Sequence, residues 1–445
     1  MESTLDSAVL LLVAILFVRE GLNFLRLLRS PEEPSGGFRS IGIIRPLSFI
    51  FFLATDLSVS FIPLAMKSLG AAAPGAPSNI LGGLPISAEM LCAGLATLLG
   101  GYVIDTHGWR PSFFTGAGVL MSGALLSGLT GSQGLFIVAR GIVGLGYGLS
   151  WMAMRGYVAA CPAQAAKVRG FSHLNAGIYA GNICACALGG RLAEALGFPA
   201  VFFISAGVLL LAAAFALFVQ DPGAPRKSSA HGSVTHFMKD SSVSSLSVLI
   251  TIPSAICLAG FLNSFFPLFA RSHGHPASEI GTTFMLYGCC IVFLGPCIGT
   301  YISRNPARMK VFILIGSSIG AVSMLLFAFS STFWTALVTI FLLGIADCIG
   351  FVSQNAYFLG LKATRRFGDG KALGLFSMTK KIGQMLGPLV FGWVATADAP
   401  AGIGLAGLAY CLTIALYLLA GKPASAAGQG VPVRNGPEEK RSADG

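Results

Sequence analysis

The chain alternates long apolar runs with short polar loops, and this alternation leaves few ways to fold. A helix that crosses about 30 Å of hydrocarbon needs roughly 20 mostly apolar residues. Twelve runs have that character: 44–69, 80–103, 112–131, 134–157, 170–190, 199–219, 244–269, 280–302, 310–329, 333–360, 372–396 and 401–420. They are numbered span 1 to span 12 below. They are too long, and alternate too little, to be strands of a membrane barrel. Only 11% of the 445 residues are charged and 54% are hydrophobic, whereas a soluble domain has about a quarter charged. So few charges cannot cover a water-soluble body of this size. The expected class is an all-α integral membrane protein.

The net charge of +11 could suggest a nucleic-acid partner, but such binders gather Lys and Arg on one face. Here the basic residues sit in alternate loops, which is the pattern that sets orientation in a bilayer. With the residues before span 1 inside, 23 of the 29 Lys and Arg fall on the inside. Only Lys67, Arg191 and Arg271 fall outside, and Arg140, Lys380 and Lys381 lie within spans. Both ends of the twelve-span body are therefore expected in the cytoplasm of a bacterial inner-membrane protein. The ten cysteines do not form a secreted disulfide framework, because most lie in apolar runs. Cys184-x-Cys186 and Cys289-Cys290 could suggest a soft metal. No His accompanies them, and residues i and i+2 point to different helix faces, so they are expected to be packing residues. No metal and no cofactor is expected.

Residues 1–43 precede span 1 and contain an apolar core, Ala8–Val18, followed by Arg19 and Glu20. This segment is either an amphipathic helix on the inner surface or a thirteenth span with its start outside; Arg19, Arg26 and Arg29 all follow the core. Residues 44–219 and 244–420 form two six-span halves. Residues 220–243 read as a polar cytoplasmic linker and 421–445 as a disordered tail.

The halves repeat one another. Ser60-Phe-Ile-Pro63-Leu-Ala-Met-Lys67-Ser68 in span 1 matches Ser264-Phe-Phe-Pro267-Leu-Phe-Ala-Arg271-Ser272 in span 7. Gly101, Asp105 and Arg110 match Gly299, Ser303 and Arg308; Gly144 and Tyr157 match Gly344 and Tyr357. Gly181, Asn182 and Gly190 match Gly383, Gln384 and Gly392. Two halves inserted in the same direction imply a pseudo-two-fold axis along the membrane normal. Secondary transporters place substrate near the midplane on such an axis.

With these residues in view, residues 44–420 resemble the major facilitator superfamily. The loop Gly101-Tyr-Val-Ile-Asp105-Thr-His-Gly108-Trp-Arg110 is similar to its G-x-x-x-D-[RK]-x-G-[RK]-[RK] loop, with Thr106 and Trp109 at positions usually basic. Arg140-Gly-Ile-Val-Gly144 resembles the family's R-x-x-x-G signature in span 4. In span 5, Ala185-Cys186 stand where family antiporters carry Gly-Pro, while span 11 keeps Gly387-Pro388. The resemblance implies a twelve-helix transporter bundle with one extra N-terminal helix, and a gating loop of Gly101, Asp105, Gly108 and Arg110. It also implies that Asp105 caps the start of span 11 in the outward-open state. On the residues alone, Gly101 is expected to let two helices approach closely.

Ionisable groups inside spans are costly and mark function. Away from their ends spans 3, 6, 9 and 12 carry none, and the family places those four on the outside. Asp56, Glu89, Arg140, Asp347, Lys380 and Lys381 all lie on other spans and sum to zero. At about 1.5 Å per residue, Asp56 and Arg140 share a depth and are expected to pair, while Glu89 has no evident partner. Protonation of Asp56 or Glu89 is the expected coupling event: burial disfavours a charged carboxylate and a nearby Arg favours it. Asn182, Asn263, Tyr287, Asp347, Gln354, Lys380 and Gln384 are the expected substrate cavity, with Asn355 nearby. Lys380 and Lys381, about 100° apart on a helix, cannot face one spot.

The expected function is secondary active transport of a small solute by alternating access, coupled to protons, by a monomer in a lipid bilayer without nucleic acid. A membrane sensor on a transporter-like bundle is the alternative. No P-loop, HExxH or GxSxG motif points to an ATPase or an enzyme. Neither the solute nor its direction is written in these residues.

Overall fold

The computed structural model describes residues 2–29, 42–70, 78–160, 164–219, 234–304, 308–367, 369–397 and 399–420. These residues contain helices and no strand. The linker from 220 to 233 and the tail from 421 lie outside the described residues. Ten of the twelve runs are single helices. Spans 2 to 6 are Ser78–His107, Trp109–Leu129, Gln133–Ala159, Gln164–Leu196 and Phe198–Ala216. Spans 8 to 12 are Ala277–Arg304, Met309–Phe329, Phe333–Gly360, Asp369–Ala397 and Ala399–Ala420. Glycines make the sharpest corners: Gly108 joins spans 2 and 3 and Gly197 joins spans 5 and 6, at φ 84° and 82°. Only a residue without Cβ adopts that backbone freely.

Nine helices among the described residues are long and apolar enough to cross a membrane. The runs outside that set are spans 1, 5 and 11. Spans 5 and 11 are diluted by polar residues such as Asn175, Asn182, Lys380, Lys381 and Gln384. Span 1 is short because it breaks, into Ile44–Asp56 and Ile62–Ser68.

The break recurs in the repeat. Residues 57–61 form turns in span 1, while the matching stretch of span 7 is the π-helical segment Ala259–Phe265. Each is followed by a helix with proline in its first turn, Pro63 in Ile62–Ser68 and Pro267 in Phe266–Ser272. Proline lacks an N–H and crowds the carbonyl four residues earlier, so it disrupts the turn before it. Span 7 carries a second π-helical segment at Ser247–Thr251. Interrupted helices at corresponding places in two halves point to the binding site.

Spans 3, 6, 9 and 12 present large apolar side chains outward, including Leu129, Leu210, Phe329 and Leu419. The halves meet through span 2 with span 11 and span 5 with span 8. The Cβ that Gly83 lacks would fall on Pro388, and the one Gly190 lacks on the Ala277 carbonyl. Ser87 donates to the Met385 carbonyl at 2.8 Å, and Ser278 N–H to Glu194 at 3.0 Å. These contacts lie toward the face that the charge bias predicts to be external. At the other end, Gly101, Gly295 and Gly374 have nothing within 4 Å of a would-be Cβ. One contact between the halves also occurs at that end, where Arg155 Nη1 lies 3.4 Å from Ser377 Oγ.

The N-terminal helix, Glu2–Arg29, lies along spans 1 and 5. Val9, Val13, Leu16 and Glu20 make its buried face. Phe17 meets Phe49 edge-on at 5.2 Å, and Arg45 clasps Glu20 at 2.5 and 2.8 Å. Since Arg45 sits at the inner end of span 1, the N-terminal helix runs antiparallel to it.

Candidate functional site

The N-terminal half centres on Arg140. Gly144, one turn further along span 4, lacks the Cβ that would collide with the Glu89 carbonyl. Spans 2 and 4 therefore touch at backbone distance, and Arg140 reaches Glu89 on the same face. Its Nη2 and Nε lie 2.5 and 3.1 Å from Glu89 Oε2, and Nη1 lies 3.5 Å from Ser58 Oγ. The guanidinium also stands 6.0 Å from the Phe202 ring centre. Both charged partners are buried, Arg140 at 3% and Glu89 at 9% exposure.

This corrects two expectations. Asp56 does not pair with Arg140, and Glu89 is not without a partner. Depth alone placed Asp56 and Arg140 together, but Asp56 turns toward span 5. There Asn182 Nδ2 donates to Asp56 Oδ2 at 2.9 Å, and Thr55 adds a contact at 3.4 Å. Among the described residues, no cation touches Asp56.

The C-terminal half has its own cluster. Tyr287 donates to Asp347 Oδ2 at 2.8 Å, and Lys380 Nζ lies 3.3 Å from Oδ1. Tyr287 and Glu89 each stand twelve residues before the matched glycines Gly299 and Gly101. The structure keeps that equivalence, because Gly344 faces the Tyr287 carbonyl as Gly144 faces that of Glu89. Lys381 takes a different course from Lys380 and crosses to the other half. Its ammonium lies 3.3 Å from Met90 Sδ and 5.0 Å from the centre of the Tyr147 ring.

The remaining cavity residues separate. Gln354 is buried and accepts from Thr251 at 3.0 Å within its own half. It lines a chamber with Ser254, Ser317, Asp347 and Tyr410, inside the C-terminal bundle. Asn263 falls in the π-helical segment of span 7 and is partly exposed. Gln384 has a buried Oε1 without a hydrogen bond. Tyr147 and Trp151, stacked at 6.5 Å with Phe52 edge-on to both, form an aromatic wall that was not expected. Their spacing of four residues on span 4 was the available signal.

The gating loop is only partly described. The Asp105 side chain lies outside the described residues. Gly108 supplies the positive φ that starts span 3, and Arg110 donates to the Val219 carbonyl at 2.5 Å. Gly101 does not mark a close approach in this arrangement; Gly100 does, against Met152 at 3.0 Å. No cluster of metal-ligating residues occurs among the described residues.

The Major Facilitator Superfamily model matches residues 46–369. The chain belongs to the major facilitator superfamily. Among superfamily relatives it is similar to the multidrug resistance protein MdtG of Serratia proteamaculans, 26% identical over 67% of this chain and 74% of the relative. It is also similar to MdtG of Enterobacter lignolyticus, at 24% over 81% and 87%. Among solved structures, a bacterial homolog of the human lysosomal transporter Spinster, inward-facing and occupied, superposes with a TM-score of 0.70. That match has 14% identity and covers 88% of this chain and 97% of the other. Superfamily membership makes this chain a multi-pass membrane transporter of a small molecule.

Proposed function

We propose that this transporter exchanges a small solute for protons by alternating access, and that Asp56 is the group the two occupy in turn. The observation that carries this is the division of labour between the two acids that lie within spans 1 and 2. Among the described residues, Glu89 is locked to Arg140, whereas Asp56 is held by neutral donors alone. A carboxylate in a membrane cavity needs its charge met, and a proton or a solute's cationic group can each meet it. Neither can bind while the other is there, which makes the two movements obligatory partners. Asp56 ends the first piece of broken span 1, so its setting is free to change as the halves rock. Export from the cytoplasm is the direction that the relatives' names, multidrug resistance proteins, favour.

The test uses purified full-length protein in proteoliposomes with an imposed pH gradient and a panel of labelled solutes. Solute movement that follows the gradient and stops with a protonophore is the expected result. Movement indifferent to the gradient would defeat the proposal.

A further inference from the structure

Two of the three oppositely charged pairs in the spans are closed, Glu89 with Arg140 and Asp347 with Lys380. The third pair is open. Among the described residues, Lys381 has no carboxylate in salt-bridge reach; methionine sulfur and a tyrosine ring are what its ammonium touches. Among the same residues, Asp56 has no cation. The two come from opposite halves, are linked through Tyr147, whose ring Lys381 covers and Phe52 of the Asp56 helix abuts, and are each partly exposed. Asn182 ties Asp56 to span 5, while Met90 and Tyr147 hold Lys381 against spans 2 and 4. The aromatic wall lies against Lys381 and against the helix of Asp56. Phe52, one turn before Asp56, meets Tyr147 at 6.0 Å and Trp151 at 5.5 Å.

We propose that the solute is a small amino-acid-like zwitterion, with its ammonium on Asp56, its carboxylate on Lys381 and its apolar body against Tyr147 and Trp151. This rests on the exchanger proposed above and narrows its substrate class. The closed pairs already cancel, so the cavity is neutral. A simple cation would meet Asp56 but bring its charge toward Lys381. A simple anion would meet Lys381 but face Asp56. Each leaves one cavity charge uncompensated, a penalty that discriminates between ligands. A ligand carrying both charges satisfies both groups and, because they belong to different halves, bridges the halves that must move together.

The experiment measures thermal stabilisation of the purified full-length protein by phenylalanine, phenethylamine and 3-phenylpropionate, and by tryptophan, tryptamine and 3-indolepropionate. In the wild type the amino acids should bind at least about tenfold more tightly than either single-charge analogue, as expected for a lost charged hydrogen bond. Asp56→Asn should lose preference for the amino acid over its deaminated acid, and Lys381→Met should lose preference over the amine. The assignment is overturned if an analogue matches its amino acid in the wild type, or if none of the six stabilises it. In proteoliposomes, gradient-driven transport of solutes without preference for zwitterions overturns this assignment and leaves the exchanger standing. Absence of any gradient-driven transport defeats the exchanger itself.

Discussion

Arg140 of span 4 donates twice to a single oxygen of Glu89 on span 2, at 2.5 and 3.1 Å. The pair lies beside the contact between Gly144 and the Glu89 backbone, so charge and backbone packing fix the same crossing. Asp56, by contrast, has no cation against it among the described residues.

Removing one partner of a buried pair strands the other charge in an apolar medium. Glu89→Gln should therefore destabilise the folded protein by roughly 3–5 kcal/mol. The double variant Glu89→Gln/Arg140→Met should recover much of that loss, because no charge is left unpaired. Thermal denaturation in one detergent compares the three proteins. Equal stability of the single variant and the wild type would contradict the buried pair.

Glycines of span 2 and span 4 should differ sharply. A Cβ at 144 has no room beside the Glu89 carbonyl, while one at 101 meets nothing within 4 Å. Gly144→Ala should lower folded yield and melting temperature. Gly101→Ala should be neutral or stabilising by up to about 1 kcal/mol, the ordinary helix gain of alanine. Fluorescence-detected size exclusion with a temperature ramp reads both.

The N-terminal helix should be clamped by Glu20. Arg45 keeps 15% exposure, so water can partly replace its partner. Glu20→Gln is expected to cost roughly 1–3 kcal/mol and to increase protease cleavage between this helix and span 1. Unchanged proteolysis would show that apolar packing of Val9, Val13 and Leu16 suffices.

The long apolar runs were legible because hydrocarbon imposes a minimum length on every helix, and most observed ends fall within about four residues of the expected ones, span 5 being six residues longer at each end. The break in span 1 was hidden, since residues 57–61 are as apolar as their surroundings and turns there differ from helix only in hydrogen bonding. Depth along a helix follows from counting residues, but rotation about its axis does not, and the Asp56–Arg140 expectation failed on rotation. Gly144 carried the missing information. It shares a face with Arg140, and the equivalent glycine Gly344 faces Tyr287 beside Asp347. The Glu20–Arg45 clasp was missed because a single acid near a membrane end looks the same solvated or paired.

The central claim is that protons and solute take turns on Asp56. The most direct measurement is solute-evoked pH change inside proteoliposomes that hold a pH-sensitive dye, for the wild type and Asp56→Asn side by side. The account predicts that solute addition moves protons in the wild type and that the variant, folded to the same melting temperature, moves none. Undiminished proton movement with Asn at position 56 would contradict it.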